Sequence, residues 1–162
     1  MCSGFRSYFP KTILLLVLIV VALGVPSRAS AQHTGFGMGF LVGEPAGINA
    51  KLWRSTSTAL VGGMAWSFVH DTATDLYADY LWHNYGVFDI DRGMLPLYVG
   101  GGARLALEGE SRFGLRAVVG MNYLFDTKPF DAFFEVAPVL DVAPSVDWNL
   151  NVALGMRYFF NR

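Results

Sequence analysis

The chain has 162 residues, 53% of them hydrophobic, with 12 Lys and Arg against 13 Asp and Glu. That length allows one compact domain once any leader is removed, and the balanced charge excludes a basic surface for nucleic acid. The longest apolar run, residues 13–25, has thirteen residues, short of the roughly 20 that a helix needs to cross a bilayer.

That run belongs to the first element in the chain. Arg6 and Lys11 precede it, and Ala29, Ser30 and Ala31 supply small residues just before Gln32. A basic start, an apolar middle and a small-residue end predict a secretory signal peptide over residues 1–31, cleaved after Ala31. Cys2 lies ahead of the apolar run and not at the cleavage site, so a lipoprotein signal is excluded and the chain beyond the leader has no cysteine. Residues 32–162 then form a single domain of 131 residues, 162 less 31. Loss of Arg6, Lys11 and Arg28 leaves nine bases against 13 acids, a net charge of about −4.

Beyond Gln32 the hydropathy alternates with period two between turn signals, which is the pattern of strands. Eight segments carry it: residues 36–42, 48–53, 59–68, 76–88, 95–107, 112–125, 131–142 and 149–160. Gly43, Pro45 and Gly47 mark the first turn, over residues 43–47, and Arg54, Ser55, Thr56 and Ser57 the second. A tilted strand crosses a membrane with roughly 9–11 residues, a length that all but the first two segments reach. Pro138, midway along the seventh segment, removes a ladder donor and predicts a bulge or local break. An even number of strands puts both chain ends on one side, leaving turns 43–47, 69–74, 108–110 and 144–147 on the other. These are short for loops that recognise a partner.

The last segment reads NLNVALGMRYFF. Leu150, Val152, Leu154, Met156, Tyr158 and Phe160 share one parity, while Asn149, Asn151, Ala153, Gly155, Arg157 and Phe159 share the other. A large apolar face opposite a polar one suits a strand whose outer face meets lipid and whose inner face lines a barrel. The aromatic near the C-terminus, with apolar residues at every second position before it, resembles the closing strand of bacterial outer-membrane β-barrels. Over residues 32–162 the pattern is similar to the small OmpA-like and OmpX-like barrels. The resemblance implies an all-β fold, an eight-stranded antiparallel up-and-down transmembrane β-barrel after a cleaved signal peptide, located in the outer membrane with its ends on the periplasmic side. It also implies an assembly signal at Phe160, Tyr158 and Met156 that the barrel-assembly machinery reads. Asn161 and Arg162 follow the aromatic here, whereas the family pattern ends on it.

Parity turns Lys51, Asp79, Arg104, Arg116, Glu135 and Arg157 inward, where charges avoid the cost of roughly 2–4 kcal/mol that a cation meets at the lipid midplane. Glycines 37, 39, 63, 100, 102, 114, 120 and 155 share that parity and make room for long side chains. Eight strands enclose a space that side chains fill, so no open pore is expected. The inward charges read as a structural polar core of mutually satisfied acids and bases. Four inward bases face two mid-strand acids, an excess that Asn49, Tyr77, Tyr98 and Asn122 are placed to absorb. Turn lengths predict that Glu135 stands opposite Arg157 and Asp79 opposite Arg104. Outward aromatics at Trp66, Phe68, Tyr80, Trp82, Tyr123, Phe125, Tyr158 and Phe160 suit interfacial girdles. Small outward residues at Ala50, Gly62, Gly101, Ala103 and Ala117 read either as a contact with a partner or another copy, or as a local thin spot.

Function is less legible. Outer-membrane lipid and the assembly machinery are the expected partners, self-association stays open, and no nucleic acid, cofactor or metal is expected. The small barrel family includes lipid A deacylases with a Ser, His and acid set, but His83 is followed by Asn84 and Tyr85, without their His-x-Ser pairing. His70, beside Asp71 and near Ser67, reads as a solvated loop pair. The expectation is a membrane barrel in a structural or interaction role, with no catalytic residues. A soluble periplasmic carrier of lipocalin type is the rival, and it requires an apolar lumen and a polar exterior. An outer-membrane lipid-modifying enzyme is the third reading.

Overall fold

A computed structural model describes residues 35–66, 74–107 and 111–160. The predicted signal peptide, the His70 and Asp71 pair, and Asn161 and Arg162 lie outside these residues. Eight antiparallel strands close into one barrel in chain order: β1 (Gly35–Glu44), β2 (Ala46–Trp53), β3 (Thr58–Trp66), β4 (Thr74–Asn84), β5 (Leu97–Leu107), β6 (Arg112–Leu124), β7 (Phe130–Ala143) and β8 (Asp147–Phe159). Among the described residues there is no helix.

Closure follows from the seam between first and last strands, which runs from Gly37↔Phe159 to Glu44↔Val152. Rungs can be followed around the wall from Gly39 through Asn49, Gly63, Tyr77, Arg104, Gly114, Asp141 and Asp147. On the seam register Gly39 pairs with Arg157, and Asp147 lies ten residues from Arg157 along β8. The circuit therefore returns ten residues out of step, which tilts the strands by about 40° and leaves an interior that side chains can fill.

Several boundaries differ from the sequence pattern. Residues 43–47 are almost entirely strand, since Leu41 pairs with Gly47, Glu44 with Val152 and Ala46 with Trp66, so only Pro45 turns the chain. β4 stops at Asn84, not residue 88, where the Asn84 side chain accepts a hydrogen bond from the Gly86 amide at 2.9 Å. The connection to β5 comes alongside the end of β6, where Met94 and Leu124 exchange backbone hydrogen bonds of 3.1 and 2.8 Å and the Gly93 amide donates to Asp126. Pro138 causes no bulge. The β7–β8 register passes through Pro138↔Leu150 unbroken, and on the β6 side the ladder lapses only between Arg116↔Val139 and Val119↔Val136. The missing N–H interrupts one ladder locally, and the register shift sits instead between Phe113 and Gly114.

The interior is shaped by rungs that pair a glycine with an aromatic ring. Tyr77 faces Gly63, Tyr98 faces Gly120, Phe133 faces Gly155 and Phe159 faces Gly37. A Cβ on Gly63 would stand 2.6 Å from the Tyr77 ring, so each ring occupies space that only glycine leaves. The exterior is apolar along its length, with Phe40, Val42, Leu115, Leu150 and Leu154 all exposed.

Candidate functional site: the charged interior

Lys51, Asp79, Arg104, Arg116, Glu135 and Arg157 all lie buried inside the barrel. Three further acids join them: Asp75, Asp131 and Asp141. The described interior therefore holds five buried acids against four buried Lys and Arg, reversing the excess of bases expected from the sequence. Inward parity on β7 already included Asp131 and Asp141, one in each half of a strand whose centre is Glu135. Both lie toward the ends of the strand, outside the mid-strand set.

The charges form three layers along the axis. At the end where β1 begins and β8 finishes, Asp131 accepts from Arg157 Nε at 2.9 Å and from Asn122 Nδ2 at 2.6 Å. Lys51 Nζ lies 3.8 Å from the same carboxylate, 2.9 Å from His83 Nε2 and 4.1 Å from the centre of the Trp53 ring. A charged ammonium can only donate, so His83 Nε2 is the acceptor and its Nδ1–H faces the Ser57 carbonyl at 3.3 Å. In the middle layer Arg116 bridges Asp79 at 3.1 Å and Glu135 at 3.4 Å, while the Tyr98 hydroxyl donates to Glu135 at 3.1 Å. In the far layer Arg104 bridges Asp75 at 3.1 Å and Asp141 at 2.6 Å, and Asn149 Nδ2 donates to Asp141 at 3.0 Å. Guanidinium planes also cover rings, Arg116 over Tyr77 at 4.4 Å and Arg157 over Phe133 at 4.0 Å.

Neither predicted ion pair forms. Arg157 stands opposite Asp131 and Glu135 opposite Ala153, while Arg104 stands opposite Tyr77 and Asp79 opposite Gly102. The pairing registers are displaced from the expected ones by four residues in the β7–β8 hairpin, where Asp141 meets Asp147, and by two between β4 and β5, where Asn84 meets Leu97. A second rule operates as well. Asp79, Gly102 and Arg116 share one rung across three strands, as do Arg104, Gly114 and Asp141, and Tyr98, Gly120 and Glu135. Strands lie about 4.8 Å apart, so partners on either side of a third strand can meet over it only if that strand contributes no side chain. Glycine at the centre of each rung leaves that gap. A Cβ on Gly102 would run into Asp79, and one on Gly114 into Asp141. Tyr98 and Asn122 thus serve carboxylates, not surplus cations.

Outside, a belt of aromatics surrounds the end where β1 begins and β8 finishes. Phe36 stacks on Phe160 with ring centres 6.1 Å apart, Phe160 meets Tyr158 at 5.3 Å, and Tyr158 meets Phe130 at 5.3 Å. Tyr123 with Phe125 and Tyr80 with Trp82, each 4.7 Å apart, continue the belt. The Phe160 amide also donates to the Phe36 carbonyl at 3.0 Å, so the terminal aromatic is fastened across the seam by backbone and ring together. The small outward residues Ala50, Gly62, Ala78 and Ala103 fall on one continuous rung from β2 to β5.

No family model matches the sequence, and no curated protein matches it. Among solved structures, the N-terminal β-barrel domain of Pseudomonas aeruginosa OprF is similar with a TM-score of 0.63 at 13% identity, covering 79% of this chain and 98% of that one. The chain has the fold of the small OmpA-like and OmpX-like barrels. Ail, the attachment invasion locus protein of Yersinia pestis, is 15% identical over 78% of this chain and 94% of its own, with a TM-score of 0.37, too distant to bear on the reading.

Proposed function

We propose that the chain is an integral outer-membrane protein in a structural or interaction role, exported by a signal peptide over residues 1–31 that is removed after Ala31. The observation that carries this is the inversion of polarity, with nine Lys, Arg, Asp and Glu side chains buried inside the barrel and large apolar side chains exposed along its outer face. A soluble protein would have to hold that exterior against water. A lipocalin-type carrier needs the opposite arrangement, an apolar lumen, and the three charged layers leave no such chamber. Bilayer lipid satisfies the exterior, and strand pairing satisfies the backbone. Phe160, Tyr158 and Met156 are the features offered to the assembly machinery, and self-association stays open. No side chain in the interior is given a catalytic step.

Outer-membrane fractionation, with gel migration compared before and after boiling, tests this reading. The expected outcome is recovery with the outer membrane, faster or slower migration of the unboiled form, and a mature N-terminus at Gln32. Recovery in the soluble periplasm without detergent would refute it.

A further inference from the structure

The wall of the barrel is uneven, and the unevenness lies at one rim. At the end where β1 begins and β8 finishes the strands end level, with Phe36 against Phe160 and Trp53 against Gly35. At the other end β2 is only eight residues long and stops at Pro45, whereas β7 has 14 residues and β8 has 13. The seam shows the difference directly. Glu44 occupies the rung of Val152, and β8 continues beyond it to Asp147, carrying Leu150 and Trp148, which are 58% and 51% exposed.

Glu44 has the same parity as Phe36, Met38, Phe40 and Val42 and shares its rung with Val152, so it belongs to the outer face. At a rise of 3.3–3.4 Å per residue and a tilt near 40°, β2 covers roughly 20 Å along the membrane normal, against about 25 Å for the apolar band of such barrels. A flat bilayer would place the turn at Pro45 within hydrocarbon. We infer that lipid of the outer leaflet is drawn down to the β1–β2 hairpin, so that this wall is fitted to a locally thinned bilayer. Tilting the whole barrel would serve the hairpin equally but would take the level aromatic belt at the other end out of its interface, so deformation falls on the lipid. The inference rests on the outer-membrane reading.

Single nitroxide labels on lipid-facing positions test it in the full barrel reconstituted in dioleoyl phosphatidylcholine vesicles. Ile48→Cys and Val119→Cys each stand five residues from the belt end of their strands, Trp53 and Leu124. The expected result is that both labels contact lipid, while the label at 48 is several-fold more accessible to a water-soluble nickel relaxant than the label at 119. In dilauroyl vesicles, already thin, the difference should shrink. Equal depth at the two positions would overturn the inference. So would a matching opposite displacement of labels in Leu52→Cys and Tyr123→Cys, each one residue from the belt end of its strand, because that shows rigid tilt. If both labels read as fully aqueous, the membrane reading itself fails, an outcome distinct from equal depth within lipid.

Discussion

Asp131 is the most heavily shared side chain in the interior, taking Arg157, Asn122 and the approach of Lys51. Removing one member of a buried pair leaves a charge without compensation, typically at 3–5 kcal/mol, whereas removing both costs less than the two losses added together. Asp131→Asn and Arg157→Gln, measured by urea unfolding in lipid as a double-mutant cycle, should show this coupling. Strict additivity would mean that the 2.9 Å contact contributes nothing. The glycine rungs give a second prediction at the same scale. Gly114→Ala should destabilise by about 1–3 kcal/mol through the Asp141 carboxylate it displaces, while Gly101→Ala, whose added carbon would sit 3.5 Å from the nearest atom, should stay within about 0.5 kcal/mol. A loss at position 101 equal to that at 114 would remove the rung argument. Alternation along each strand was enough to turn Lys51, Arg104, Arg116 and Arg157 inward. Their partners are not legible from adjacent-strand pairing, because two of the three layers are bridged over a glycine.

Strand boundaries were read well where a polar cluster stops the chain, as at Arg54 to Ser57. There the Arg54 amide bonds the Thr58 carbonyl at 2.8 Å and the Ser55 hydroxyl accepts from the Thr58 amide at 3.0 Å. They are not legible where a turn is shorter than its glycines suggest. Gly43 and Gly47 lie inside strands, and their small size allows close approach to Val152 and to Met64 and Ala65 on neighbouring strands. Local composition cannot separate a glycine that turns the chain from one that lets another strand come near. The closing element carries its own prediction. Because Phe160 is bound to Phe36 by both backbone and ring, Phe160→Ala should reduce folded, heat-modifiable protein more than deletion of Asn161 and Arg162. Equal loss in the two would detach the assembly role from the aromatic.

The whole molecule was more legible than its parts. Eight alternating segments predict an even, closed, antiparallel sheet, and the barrel has that topology, because closure depends on strand number and period and tolerates errors of a few residues in each turn. Three layers of arginine and lysine bridged to carboxylates cross the lumen, so reconstituted protein should show no large steady conductance. Stable openings on the nanosiemens scale in planar bilayers would contradict that filling.

The seam has a further consequence for how such a chain comes into being. Gly37 and Phe159 are 122 positions apart yet adjacent in the wall. A nascent chain lacking its final segment keeps two raw β-edges, on β1 and β7, each able to recruit a foreign strand. Nothing synthesised earlier can substitute, so the barrel cannot mature progressively from its beginning. β8 therefore completes the wall on both sides at once, and a chain without Asp147–Phe159 leaves β1 and β7 as open edges.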